Sequence, residues 1–451
     1  MNRDLTVGSP KKVLWLYTLP LLGSVLFQQL YNLADSVVAG RFISEQALAA
    51  VGNASEIILI YTAFAFGCNI GCSVIISQLF GAKDIRGVKS AVSTAFLSFG
   101  VMCGLLMLFG FFSLEPLLQL IQTPEAIFGS TLLYLRIYTA GMPFVFFYNV
   151  ATGIFSALGD SKSPFYFLAF SSLSNIGVDI LFVTAFNMGV AGVAWATFLC
   201  QGLSCVLAVS TLLRRLRAMP AEGPYERFSP PLFRRLFLVA VPSVLQQLFV
   251  SLGNIMIQGI VNAYGESVIA GFTAATRLNN IAVSCYMAVG NGLSAYSAQN
   301  IGAERLDRVR QGLRGAVQLG ILLCVPFVAA YCLGGRLCVG LFLSSDASQT
   351  SMETAILILR FLSPFYFAVA AKVITDGVIR GAAAMGLFMS STFTDLALRV
   401  LFVALLIKPL GAAGIGLAWG IGWVSGAVLS LLMYFSGLWK RRLPLGSGRE
   451  T

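Results

Sequence analysis

Histidine is absent from this 451-residue chain. Its absence removes the commonest general acid–base, the base of Ser-His-Asp nucleophilic sites and the commonest metal ligand together. Charge is scarce as well. Asp, Glu, Lys and Arg make up 11% of the residues, against about 25% in soluble globular domains. So few charges cannot dress a surface that faces water on all sides. Paired cysteine motifs are missing too: the nine cysteines lie in apolar runs without a CxxC. They read as small buried side chains rather than metal ligands or disulfides. Nor are there the short alternating segments of about 10 residues that build a membrane β-barrel.

Long apolar runs take up the space those absences leave. Hydrophobic residues are 57% of the chain, and a helix needs about 20 predominantly apolar residues to cross a bilayer. Breaks of charge, Gly and Pro divide the chain into twelve runs, near 13–39, 50–78, 91–113, 130–156, 164–186, 190–213, 236–262, 268–298, 315–342, 353–379, 387–408 and 411–439. The segment before the first is short and polar with no cleavage pattern, so that run reads as a retained span. The expectation is an all-α, multi-pass membrane protein with twelve transmembrane helices that is not an enzyme.

The basic residues are unevenly placed. Twenty-two Lys and Arg fall at one set of span ends and two, Arg41 and Lys408, at the other. The positive-inside rule then predicts that both termini are cytoplasmic, and the expected location is the cytoplasmic (inner) membrane. The net charge of +11 is accounted for by topology and by lipid headgroups, and no nucleic-acid partner is expected.

The chain also repeats itself. At an offset of 221 residues, Gly71 meets Gly292, Gln78-x-x-Gly81-Ala82 meets Gln299-x-x-Gly302-Ala303, and Pro143-Phe144-x-Phe146 meets Pro364-Phe365-x-Phe367. Pro20 meets Pro242 with one residue of slippage. This predicts an N-terminal lobe over 1–213, a charged, Pro-rich cytoplasmic linker over 214–235 and a C-terminal lobe over 236–451. Six spans per lobe make the repeat parallel, a plan of transporters that rock two bundles about a site. Glycines spaced GxxxG at 67 and 71, 416 and 420, and 422 and 426 predict close helix packing.

These residues resemble the multidrug and toxic compound extrusion (MATE) family, over about 13–439. The first span carries Pro20-Leu-Leu-Gly…Gln28-Gln29-Leu30-Tyr31-Asn32-Leu33-Ala34-Asp35…Gly40-Arg41. The second and eighth end in the two Gln-x-x-Gly-Ala motifs, and the fourth leads into Ala157-Leu158-Gly159-Asp160-Ser161…Pro164. The resemblance implies a secondary antiporter that expels organic cations and drugs in exchange for Na⁺ or H⁺, with no cofactor. It also implies an N-lobe cation site, as in the DinF-like branch, formed by Asp35, Asn175, Asp179 and Thr197. The chain departs from the branch with acids in the C-lobe: span 7 has none, and only Asp376 on span 10 is available to match.

The residues themselves lead to the same place. An ionisable group at bilayer depth costs about 2.5–3.5 kcal/mol on insertion scales. Gln28, Tyr31 and Asn32 share a helix face with Asp35, and Asn175 and Asp179 stand one turn apart. Substrate contact is expected of Gln28, Tyr31, Asn32, Tyr148 and Asn149, because an apolar wall with a few acids suits lipophilic cations. A structural alternative is an acid paired with a distant base such as Arg136. In the second half, Asp395 and Arg399 are i, i+4, and Lys372, Asp376 and Arg380 repeat the pattern. Those five read as structural or gating charges that neutralise one another. With Leu181-Phe182 laid on Leu401-Phe402, Asp395 and Arg399 fill the slots of Asn175 and Asp179. The expected partners are a small cationic amphiphile and membrane lipids, with the chain a monomer. The rival reading is a flippase of a lipid-linked precursor, which would favour a strongly cationic cavity.

Overall fold

The computed structural model describes residues 3–42, 45–221, 223–343 and 348–442. Side chains are described within these ranges except at 31–42, 45–48, 56, 441 and 442. The described residues are helical throughout, with no strand: α1 (Pro10–Phe42), α2 (Glu45–Gly81), α3 (Ile85–Leu120), α4 (Glu125–Ala157), α5 (Lys162–Ile180), α6 (Gly189–Ala218), α7 (Pro230–Asn262), α8 (Glu266–Gly302), α9 (Leu306–Leu333), α10 (Gly335–Gly340), α11 (Gln349–Leu362), α12 (Tyr366–Gly381), α13 (Met385–Leu410) and α14 (Ala412–Phe435). A π-helical turn, Leu181–Ala185, extends α5, and a 3₁₀ turn, Ser363–Phe365, joins α11 to α12 into one passage.

Ten of these stretches are long and apolar enough to span a membrane. The other two expected spans coincide with α8 and α13, which are 37 and 26 residues long but carry polar or charged side chains along their length. The reason lies in where their polar groups go. Asn279, Gln299 and Asn300 of α8, and Asp395 and Arg399 of α13, are buried among other helices. A helix that meets protein on most sides need not be greasy to reside in a membrane.

Helix ends follow local chemistry. Asp84 caps α3 by accepting the Gly87 N–H at 2.7 Å, and Ser348 caps α11 by accepting the Ser351 N–H at 3.2 Å. The two Gln-x-x-Gly-Ala motifs end their helices alike. Lys83 and Glu304, 221 positions apart, both adopt left-handed backbone with φ of 60° and 57°. The next N–H then reaches back five residues, from Asp84 to Leu79 O at 3.0 Å and from Arg305 to Asn300 O at 2.7 Å. This is a Schellman-type stop.

The chain divides into two compact units. One holds Met1–Asp4 and Gly23–Val244, the other Leu5–Leu22 and Leu245–Thr451. The first part of α1 therefore belongs with the second half of the sequence, and the first part of α7 with the first half. Inside the second unit, Gln299 Oε1 accepts the Leu5 N–H at 2.9 Å, and Arg308 donates to the Gly8 carbonyl at 2.8 Å. The Trp15 indole donates to Gly315 O at 2.9 Å. Inside the first unit, Gln78 Oε1 accepts from Arg235 at 2.9 Å. The Glu226 and Ser229 N–H groups donate to Ser90 and Thr94 hydroxyls, both at 3.0 Å. The repeated glycines make room for these segments. A Cβ on Gly292 would stand 2.5 Å from Thr18 Oγ1, and one on Gly71 would stand 3.1 Å from Leu236 O.

Candidate functional site

The first unit contains a cavity of ≈ 90 Å³ lined by α1, α4, α5 and α6. Gln28 enters from α1 and Tyr148 from α4. Ser171, Ser172 and Asn175 form a stripe on α5, and Thr197, Cys200, Gln201 and Ser204 form one on α6. A water needs about 10–15 Å³ by this measure, so the space takes an ion and several waters. A drug-sized ligand wants about 300–1,000 Å³. Ser171 Oγ donates to Cys200 O at 3.4 Å, tying α5 to α6 along the wall. The Ser204 hydroxyl is buried without a partner among the described residues, so it can take a hydrogen bond from the cavity side.

Asp179 sits one turn beyond Asn175 on α5, and the two are 4% and 6% exposed. Four of the residues expected at the site, Gln28, Tyr148, Asn175 and Thr197, line this one cavity. Asn149 is not among the lining residues: its side-chain amide donates to Val145 O of its own helix at 2.8 Å, and its backbone carbonyl accepts from the Asn69 amide of α2 at 3.0 Å. Tyr31, Asn32 and Asp35 lie outside the residues whose side chains are described. Arg136 pairs with Glu115 at 2.7 Å, each side chain 55% exposed. It therefore holds another acid, away from the buried carboxylate of α5. Gln201 and Ser204 were not singled out from the sequence. The signal was there, since Thr197, Gln201 and Ser204 recur at i, i+4 and i+7.

At one end of this unit Asp160 collects several donors. Its Oδ1 accepts the Lys162 and Ser163 N–H groups, both at 3.1 Å, so that it caps α5. Its Oδ2 accepts from the Ser163 hydroxyl at 2.6 Å and from the Arg215 guanidinium, which packs over the Phe155 ring. Burial pushes the Asp160 carboxyl up, but the Ser163 and Arg215 hydrogen bonds outweigh it and leave the pKa below its ordinary value of 3.8.

The second unit holds the five C-lobe charges. Arg399 Nη2 lies 3.1 Å from both oxygens of Asp395, and Lys372 Nζ lies 3.1 Å from Asp376 Oδ2. Lys372 is also 3.8 Å from Asp395 Oδ2, which joins the two pairs across α12 and α13. Hydroxyls of Ser391 on α13 and Ser430 on α14 donate to Asp376 Oδ1 at 3.1 and 2.6 Å. Arg380 goes elsewhere, donating to Asn291 Oδ1 of α8 at 2.6 Å and stacking on Phe388. Gly422 and Gly426 present a bare face of α14 to this cluster.

Comparison with known proteins gives consistent matches. The MatE family model matches residues 20–181 and 242–405. The probable multidrug resistance protein YpnP of Bacillus subtilis is 31% identical over 444 residues, 97% of each chain. The FAD transporter of Shewanella oneidensis is 25% identical over 309 residues, 67% of this chain and 68% of its own. Among solved structures, the outward-facing conformation of a multidrug resistance MATE family transporter of the MOP superfamily superposes with a TM-score of 0.90. It is 24% identical, over 97% of this chain and 99% of that one. At that identity the likeness speaks for the fold.

Proposed function

We propose that this chain, which belongs to the MatE family of transporters, is a secondary antiporter that exports organic cations and drugs in exchange for Na⁺ or H⁺. It works across a bacterial cytoplasmic membrane with both termini on the cytoplasmic side. The observation that carries this reading is the polar cavity of the first unit beside two buried groups of α5, Asn175 and Asp179. Hard cations want oxygen ligands, and Asp179, Asn175 and Thr197 offer them without His or Cys. Asp35 of α1 is the fourth member of the set. Two carboxylates near one another in a low dielectric repel, so one holds a proton or both share a cation. Either ion competes with a cationic substrate for the acids, and that competition turns entry of one into exit of the other.

The volume supports a division of labour: the cavity suits the coupling ion, and a drug requires a larger space than its ≈ 90 Å³. Among the described residues no Lys or Arg lines the cavity, whereas a flippase for a pyrophosphate-linked lipid would favour a cationic wall. Dye efflux from proteoliposomes tests the reading, under a Na⁺ gradient and then a pH gradient. Asp35→Asn and Asp179→Asn are expected to fold and to lose gradient-driven efflux at matched expression. Wild-type rates in both would end the proposal. Because one relative is an FAD transporter, FAD belongs in the panel. Transport of FAD without any cationic dye would overturn the substrate class.

A further inference from the structure

The second unit poses a charge problem that the proposed mechanism does not use. Asp376 and Asp395 are 3% and 5% exposed, on adjacent helices, with a single arginine, Arg399, paired to the second. Arg380, one turn along α12 from Asp376, donates to Asn291 instead, so the cation that hydrogen-bonds to Asp376 is the Lys372 ammonium. That ammonium lies between the carboxylates, 3.1 Å from Asp376 and 3.8 Å from Asp395. The remaining capacity of Asp376 is met by hydroxyls from α13 and α14, so that oxygens from three helices converge beside the ammonium. The path of the lysine stem is also built in. A Cβ on Gly426 would stand 2.7 Å from Lys372 Cε and 2.9 Å from Cδ, so the bare surface of α14 is what admits the arm.

We infer that the Lys372 ammonium is a tethered counter-cation. It occupies a place in the second unit that a free monovalent cation would otherwise take. Carboxylates and hydroxyls are the donor set a hard cation uses, and an ammonium held covalently among them cannot exchange with solution. The second unit thereby carries its own cation through every cycle, and ion exchange is left to the first unit. The inference rests on the proposed first-unit site only for that last step; the occupancy itself stands on the Lys372 geometry.

Removing the ammonium should open a cation site. Lys372→Met keeps a long stem against Gly426 and leaves the carboxylate oxygens in place. Melting temperatures are compared for purified Asp179→Asn and for Asp179→Asn, Lys372→Met, in NaCl and in choline chloride at equal ionic strength. The Asp179→Asn background removes one of the two first-unit acids from both variants, so the comparison between them reads the second unit. The double variant is expected to melt about 3 °C or more higher in Na⁺ than in choline, as binding to the folded state alone requires. The same comparison in Asp179→Asn should give a smaller difference. Adding Asp376→Asn should restore stability without Na⁺ and erase the response, which also serves if the double variant folds poorly. Equal melting of the double variant in both salts, failure to fold in either salt, or a Na⁺ response that survives Asp376→Asn would each overturn the inference. A Na⁺ response already present in Asp179→Asn would count against the first-unit site instead, leaving the comparison between the two variants to decide this one.

Discussion

Gln299 accepts a hydrogen bond at 2.9 Å from the backbone N–H of Leu5, 294 positions earlier in the chain. Its repeat mate Gln78 accepts one from Arg235 at 2.9 Å. The same glutamine, 221 positions apart, thus receives the segment leading into α1 in one case and the start of α7 in the other. The motif that made the repeat visible is in part a docking seat. Gln299→Ala would leave the buried Leu5 N–H unpaired, at a cost of about 1–3 kcal/mol. Gln78→Ala should cost less, because Arg235 is only half-buried and can turn to water. Thermal melts of the two variants in detergent check the order. Equal shifts would mean that the N-terminal segment is not held as described.

Breaking the Asp395–Arg399 pair tests the charge cluster. Arg399→Leu leaves Asp395 with Lys372 alone at 3.8 Å, and stranding one member of a buried pair typically costs about 3–5 kcal/mol. Asp395→Asn made together with Arg399→Leu should recover much of that loss in folded yield and melting temperature. A double variant as damaged as the single would show that the two charges do not offset one another.

Gly426→Ala adds a methyl group where Lys372 Cε would be 2.7 Å away and Asp395 Cβ 3.0 Å away. Overpacking of this kind costs about 1–3 kcal/mol. The lysine end can swing aside only by leaving Asp376, so the melting temperature should fall. Gly104→Ala, with open space around its Cβ, should leave it nearly unchanged. A larger drop in the control would refute the assignment of that face.

Asp160 gives a pH test outside the spans. Its folded pKa is lower than its ordinary 3.8, so the unfolded state binds the proton more readily. Its contribution is therefore complete above the ordinary value and disappears as the pH falls through the lowered folded value. Wild type should exceed Asp160→Asn in stability at neutral pH, with the gap closing in acid. A gap independent of pH would show that hydrogen-bond geometry, and not the carboxylate charge with Arg215, is what matters.

Much of this protein was legible in one dimension. Hydropathy run length places helices because crossing a bilayer demands it. The offset of 221 exposes the repeat, and the shortage of acids in apolar runs singles out Asp179, Asp376 and Asp395. The i, i+4 pair of Asp395 with Arg399 needs only helix geometry. What tertiary structure alone decided is which side chains meet across helices. It sends Arg136 to Glu115, Arg380 to Asn291 and Lys372 toward Asp395 as well as Asp376. It brings the Asn69 amide to the backbone carbonyl of Asn149, and it gathers Gln201 and Ser204 with Asn175 around one cavity. It also takes the first parts of α1 and α7 into the opposite units. The physical reason is the solvent. In lipid an apolar face gains little by turning inward, so hydropathy does not report a helix's rotation. Rotation is set by glycine contacts and a few polar partners far apart in the chain, which only the packed structure brings together.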